Sequence, residues 1–186
     1  MTVPTRRRAA RLLVLALATS MLVSACGGVA ADPPTSGLPT PSATSAAPVA
    51  SGAASAGGVT VSGAPGAAPT IAVTAETAAV QELVVKDLVV GTGAAVPEGS
   101  TITAHYVGVG GSSGKAFDSS WDRGQPSQFA LDRVIPGWTT GIPGMKVGGR
   151  RLLVIPGAQA YGANPPSADI APNEVLVFVV DVVSVP

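Results

Sequence analysis

The sequence predicts an α+β domain made mostly of short strands, with a single short helix. The prediction rests on several β-branched runs bounded by Gly or Pro, on only one stretch with helical character, and on a high content of residues that favour turns. Gly accounts for 23 of the 186 residues and Pro for 17, and only 12% are charged. This composition argues against a helical bundle. The length allows one ordinary domain with appendages.

Five segments have the composition of strands. The first, 83–90, is rich in Val and Leu and ends at a Gly-Thr-Gly turn, and the second, 101–107, alternates between polar and apolar residues. The others are 127–131, 150–155 and 175–183. The last is apolar nearly throughout except at Asp181, which is typical of a strand buried on both faces.

The helix is expected within 135–145, where Gly141 and Pro143 predict that it is short or irregular. Two β-branched stretches precede the first long strand, at 59–61 and 70–73. They are either accessory strands on the domain or part of a flexible segment. We favour ordered strands in an N-terminal extension that covers 58–80.

Residues 1–25 have the layout of a secretory signal peptide. A cluster of Arg between residues 6 and 11 precedes an apolar run, 12–23, that is short for a membrane span. The run ends at Ser24-Ala25-Cys26, which resembles the lipobox of bacterial lipoproteins, and Cys26 is the only cysteine of the chain. We therefore predict lipidation at Cys26 and an extracytoplasmic domain anchored to the cell membrane; an ordinary signal peptide with an incidental cysteine is the alternative.

The segment 26–57 consists almost entirely of Ala, Ser, Thr, Pro and Gly and carries one charge, Asp32. Such a composition has little apolar surface to bury, so we predict a disordered tether between the lipid and the domain.

Charge and histidine content exclude two classes of function. Four of the eleven basic residues lie before residue 12, so the rest of the chain has an excess of acidic residues and no basic stripe, which argues against nucleic-acid binding. His105, the sole histidine, has no partner at metal-ligand spacing. We therefore expect no metal and no special chemistry at His105.

A set of short motifs, weak one by one, occurs in a distinctive order. They are His105-Tyr106-Val107-Gly108, Phe117-Asp118-Ser119-Ser120, Val134-Ile135-Pro136-Gly137-Trp138, Met145-Lys146-Val147-Gly148, Ile155-Pro156, Ala160-Tyr161-Gly162 and Leu176-Val177-Phe178. In this order and spacing the segment 81–186 resembles the FKBP family of peptidyl-prolyl cis–trans isomerases. The resemblance implies a bent antiparallel sheet wrapped around one short helix.

The resemblance also implies an apolar pocket between the sheet and the helix. The residues it assigns to catalysis are Tyr106, Phe117, Asp118, Ile135, Trp138 and Tyr161. Those it assigns to substrate binding are Phe129, Val134, Ile170, Phe178 and Arg123. In this reading Trp138 forms the floor, the Tyr161 hydroxyl and the Ile135 N–H donate to substrate carbonyls, and Asp118 accepts from Tyr106 and pairs with Arg123.

The implied activity is rotation about the X–Pro bond in exported proteins, without a nucleophile, metal or cofactor. The expected partners are proline-containing peptide segments, macrolide inhibitors such as rapamycin or tacrolimus, and the membrane through the N-terminal lipid; the expected state is a monomer. The alternative is a peptide-binding or chaperone module with little turnover. The retained pocket residues favour the enzyme.

Overall fold

A computed structural model describes residues 53–186 of the chain. The predictions for the signal peptide, for Cys26 and for the tether up to residue 52 lie outside the described residues. Within 53–186, no helix is long and apolar enough to cross a membrane.

The described part contains nine strands, one α-helix and two short 3₁₀ helices, at Thr77–Ala79 and Gly157–Gln159. In chain order the elements are β1 (Ala54–Ala56), β2 (Val59–Ser62), β3 (Thr70–Val73), β4 (Val84–Val89), β5 (Thr101–Gly110), β6 (Ala116–Ser119), β7 (Ser127–Ala130), α1 (Pro136–Gly141), β8 (Arg150–Ile155) and β9 (Leu176–Ser184).

The main sheet is antiparallel and has six strands in the order β4-β8-β9-β5-β6, with β7 paired to another part of β5. Each of the five strands expected from the sequence is present, as β4, β5, β7, β8 and β9. Strand β6 was not expected, because its four residues contain the charged Asp118 and show no apolar run. It forms because it pairs with the end of the long strand β5. The predicted α+β class is confirmed.

The helix α1 has only six residues, as Gly141 and Pro143 led us to expect. Pro136 occupies its first turn, where the missing N–H costs nothing. Gly137 faces Ile155 on β8 so closely that a β-carbon at this position would overlap the Ile155 side chain. The glycine therefore allows the helix to lie directly against the sheet.

The inner face of the main sheet, the face that α1 covers, carries the larger of two apolar clusters. Its buried residues are Val96, Ile102, Ala104, Tyr106, Leu131, Trp138, Ile142, Met145, Leu153, Ile155, Ile170, Leu176, Phe178, Val180 and Val182. Those that belong to β5, β8 and β9 occupy alternate positions, as the twofold repeat of a strand requires, and the others come from α1 and the connecting segments.

The outer face is covered by a second sheet with the strand order β1-β2-β3. Val59 and Val61 of β2 are fully or almost fully buried against the valines of β5 and β9 and against Leu152 and Val154 of β8. The N-terminal extension is therefore ordered, as we favoured. The predicted tether extends too far, since Ala54–Ala56 is a strand of this sheet and pairs with β2.

Two neighbouring arginines of β8 link the main sheet to the layers that cover its two faces, α1 on the inner face and the sheet of β1–β3 on the outer face. Arg150 points to the outer face, where it binds Asp181 and donates to the carbonyls of Gly63 and Ala67 in the loop between β2 and β3. Arg151 points to the inner face, where it binds Asp87 and donates to the carbonyl of Gly141 at the end of α1, at 2.8 Å. Each buried charge thus has a carboxylate and backbone acceptors as partners.

The packing of β2 predicts that replacement of Val59 by Ala destabilises the protein. Val59 is 0% exposed, so the change removes buried methyl groups and costs about 2 kcal/mol in the free energy of unfolding. Val85→Ala is the matched control, because Val85 is 43% exposed. Urea unfolding measures both; equal, small losses would show that the extension contributes nothing to the stability of the domain.

Candidate functional site

A cavity of about 480 Å³ opens between the inner face of the main sheet and α1. Its lining residues come from β5, β6, β7, the connection between β7 and α1, α1 itself, β9 and the segment after β8. They are Tyr106, Phe117, Asp118, Phe129, Arg133, Val134, Ile135, Trp138, Tyr161 and Phe178. The lining is mainly aromatic and aliphatic, with a few polar groups, which is the usual character of a binding site for a small apolar ligand.

Trp138 of α1 lies at the centre of this lining and is only 3% exposed. Three rings meet it edge to face: Tyr106, Phe129 and Phe178, with centroid distances of 5.8, 5.0 and 5.3 Å. Among the described residues its indole N–H has no hydrogen-bond partner. The indole is therefore held by apolar packing without a hydrogen bond to the described residues, and its ring contributes to the cavity lining.

Phe117 and Phe178 form one wall and meet edge to face at 5.6 Å. Gly108 of β5 lies behind them, and a β-carbon there would come within 2.6 Å of the Phe117 ring and 2.8 Å of the Phe178 ring. The absence of a side chain at Gly108 thus sets the position of both rings. The sequence motif contained this glycine, but nothing in the sequence showed what it makes room for.

A polar network also borders the cavity. The Tyr106 hydroxyl donates to Asp118, and Arg123 donates to the other Asp118 oxygen at 2.5 Å and to the Tyr106 hydroxyl oxygen at 2.8 Å. Arg123 also donates to the Ser127 hydroxyl at 3.3 Å. The predicted pairing of Asp118 with Tyr106 and Arg123 is confirmed. Arg123 does not line the cavity itself and acts on it through these two partners.

The network changes the acidity of its members. Burial tends to raise the pKa of Asp118, but the hydrogen bonds from Tyr106 and Arg123 outweigh it, so the pKa is lowered. Burial and the bond to Asp118 raise the pKa of Tyr106. Burial and the nearby charge of Asp118 likewise raise the pKa of Tyr161. At neutral pH the carboxylate is therefore charged and both hydroxyls keep their protons.

Tyr161 lies at the base of a long loop, 162–173, and is 37% exposed at the cavity. Glu174 ties the end of this loop to the β5–β6 hairpin, because its carboxylate accepts from Ser112 at 2.6 Å and from the Ala171 N–H at 2.8 Å. Lys115 of the hairpin pairs with Asp169 of the loop. The loop is thereby fixed beside the cavity.

Two residues differ from the expected site. Ile170 does not line the cavity; its side chain is 5% exposed and packs into the core of the inner face. Arg133, which follows β7, lines the cavity and was not expected there. The side chain of a charged residue in a loop ordinarily points to solvent, so the sequence offered little reason to place Arg133 at the cavity. Its position next to Val134 was the only signal.

The Ile135 N–H, expected as a donor, precedes α1 and bonds to no acceptor within the described part of the chain. His105 lies away from the cavity: its ring stacks on Trp121 at 3.9 Å and its Nδ1 atom is 3.0 Å from the Ser120 hydroxyl.

The site is therefore an aromatic cup with hydrogen-bond donors at its rim, and its one carboxylate, Asp118, is already committed to two partners. Such a site binds and desolvates a compact apolar group and offers donors to the polar atoms beside it.

Comparison with known proteins identifies the family. Residues 93–183 match the family model of the FKBP-type peptidyl-prolyl cis-trans isomerases. The chain is 50% identical over 104 residues to a probable FK506-binding protein of Corynebacterium glutamicum, covering 56% of this chain and 87% of that protein. It is also 50% identical over 107 residues to an FK506-binding protein of Streptomyces anulatus, covering 56% and 86%.

A crystal structure of a peptidyl-prolyl cis-trans isomerase from Pseudomonas syringae pv. tomato superposes with a TM-score of 0.51 at 38% identity, covering 55% of this chain and 74% of that one. The chain belongs to the FKBP-type peptidyl-prolyl cis-trans isomerase family, and its activity is the cis–trans isomerisation of peptidyl-prolyl bonds.

The network around Asp118 predicts a pH-dependent effect of Asp118→Asn. The variant weakens the bond to Arg123, and because both side chains are partly exposed, the loss is about 1 kcal/mol in the free energy of unfolding at pH 7. Since the folded-state pKa of Asp118 is lowered, its contribution is present above the ordinary range of Asp, near pH 4, and is lost as the pH falls further.

Urea unfolding at a series of pH values measures the difference between the wild type and the variant. Asp122→Asn is the matched control, because the exposed Asp122 side chain makes no hydrogen bond or ion pair within 53–186. A difference for Asp118→Asn that does not shrink in acid would contradict the assigned network.

Proposed function

We propose that this cavity is the site of X–Pro isomerisation, with Trp138 as its floor. The observation that carries the proposal is the arrangement of three rings around the buried indole, which borders an apolar cavity of about 480 Å³. Proline is the one residue whose backbone nitrogen sits in an apolar ring, so its imide bond enters the cup with the ring.

Rotation about this bond has a barrier of about 18–20 kcal/mol, because amide resonance is lost in the twisted state. Water stabilises the charge-separated planar amide more than the twisted one. Binding in an apolar cup removes that water, so the planar form loses more stabilisation than the twisted form. The barrier falls without any bond between enzyme and substrate.

Two donors hold the substrate during the rotation. The Tyr161 hydroxyl and the free Ile135 N–H lie on the cavity lining and would bind the carbonyls that flank the rotating bond. Tyr161 is suited to this role because its raised pKa keeps the proton in place. Asp118 serves as a positioning residue, since both of its oxygens are engaged by Tyr106 and Arg123.

The names of the relatives support macrolide binding in the same cavity. Two relatives that are 50% identical are described as FK506-binding proteins. A macrolide such as tacrolimus or rapamycin would occupy the aromatic cup in place of proline. We propose that these compounds inhibit the enzyme.

The N-terminal sequence supports the setting in which the enzyme works. The run that ends at Cys26 has the layout of a lipoprotein signal, and the segment after it has the composition of a tether. We propose that the domain acts as a monomer outside the cytoplasm, anchored by lipid at Cys26, and that its substrates are exported proteins that fold beside the membrane.

Catalysis in the cavity predicts distinct effects of two substitutions. The purified protein should accelerate cis-to-trans conversion of a Leu-Pro or Phe-Pro tetrapeptide, which takes about 10–100 s without an enzyme. Tyr161→Phe should lower kcat/KM about two- to tenfold, the cost of one neutral hydrogen bond. Trp138→Ala should lower it further, because the apolar floor is lost. Trp138→Phe, which retains a ring, should be affected less than Trp138→Ala.

A protease-free peptide assay measures these rates, and circular dichroism checks that each variant is folded. Tacrolimus or rapamycin should abolish the acceleration. A folded wild type that binds the macrolide but accelerates no X–Pro peptide would favour the alternative, a peptide-binding module with little turnover.

Lipid anchoring predicts a change of location for Cys26→Ser. The variant lacks the thiol that would carry the diacylglyceryl group, and without two acyl chains it should leave the membrane fraction. Fractionation of cells followed by a carbonate wash measures this. Equal retention of wild type and variant would contradict the lipoprotein assignment.

A further inference from the structure

Arg133 introduces a positive charge at the cavity. It lies on the connection between β7 and α1, and its side chain is exposed while it contributes to the lining. Its N–H donates to the carbonyl of Ala130 at 2.9 Å, which closes a turn and fixes the backbone at this point. The backbone of Arg133 is therefore fixed at the rim of the cavity, and the flexible side chain allows the guanidinium to reach a bound ligand.

The other charges of the site cancel. Asp118 and Arg123 form an ion pair, and both are further bound to Tyr106. Tyr161 and Tyr106 have raised pKa values and are neutral. In contrast, within residues 53–186 the guanidinium of Arg133 forms no ion pair and donates no hydrogen bond. The cavity consequently presents one cation without a carboxylate partner.

We propose that Arg133 is a specificity-determining residue that makes this isomerase favour peptides with a carboxylate next to the proline. A guanidinium offers several donors in a fork that matches a carboxylate, and here it borders an aromatic cup that excludes water on one side. The proline ring fills the cup, so the side chain of an adjacent residue comes to its rim. The inference rests on the cavity being the site of isomerisation, as proposed above.

The size of the preference follows from the exposure of Arg133. An ion pair at a solvent-exposed position contributes little, so we expect about a two- to fivefold gain in kcat/KM for a carboxylate over its neutral isostere. Because the partners are exposed, salt screens them. The preference should therefore diminish between about 20 mM and about 500 mM salt.

The test uses the full-length protein and two pairs of tetrapeptides that differ only by Glu or Gln, placed before the proline in one pair and after it in the other. The measured quantity is the Glu/Gln ratio of kcat/KM. At least one pair should give a ratio of about two to five in the wild type and close to one in Arg133→Gln. Arg133→Lys should retain most of the ratio, because the charge is kept.

Lys146→Gln is the matched control. It removes the same charge from an exposed side chain that does not line the cavity, so its ratios should equal those of the wild type. An unchanged ratio in Arg133→Gln, or an equal loss of rate on all four peptides, would overturn the proposal. If the wild type turned over the peptides with the expected response to Trp138→Phe but without any preference for Glu, the inference would fail while the assignment of the cavity stood.

Discussion

The central strands β8 and β9 carry apolar side chains on both faces, and this constrains the whole domain. A sheet of this kind is stable only when each face has a cover. The inner face is covered by α1 and the loops beside it, and the outer face by the sheet of β1–β3. Arg150 and Arg151 are adjacent in β8 and therefore point to opposite faces, so each fastens one cover. The two buried charges thus link β8 to the layer on each face.

The cavity is a consequence of how the inner face is covered. A helix of six residues is too short to fill the space above the sheet, and it brings a single large side chain, Trp138, into that space. The room left beside the helix is walled by Phe117 and Phe178, which Gly108 allows to pack, and is closed by the network of Asp118. The packing of the inner face and the proposed catalytic site thus share the same aromatic side chains.

The sheet of β1–β3 supports the main sheet but does not contribute to the cavity. Its buried valines stabilise the strands from which the cavity is built, yet none of its residues lines the cavity. Isomerisation by desolvation requires walls that keep their positions, because the twisted imide is favoured only if water stays out. The second layer packs against the strands that carry these walls. Arg133, to which we assign specificity, lies by comparison at the rim of the cavity.

The sequence by itself determined the α+β class, five of the strands and the short helix, because alternating apolar residues, Gly and Pro act locally. It also indicated most residues of the candidate site, because the family motifs keep their order. Only the tertiary structure decided the rest. Strand β6 and the inclusion of Ala54–Ala56 in a sheet depend on pairing partners far along the chain. The burial of Ile170 and the placement of Arg133 at the cavity depend on how two loops fold against the core. These outcomes arise from contacts between distant residues, which local patterns do not contain.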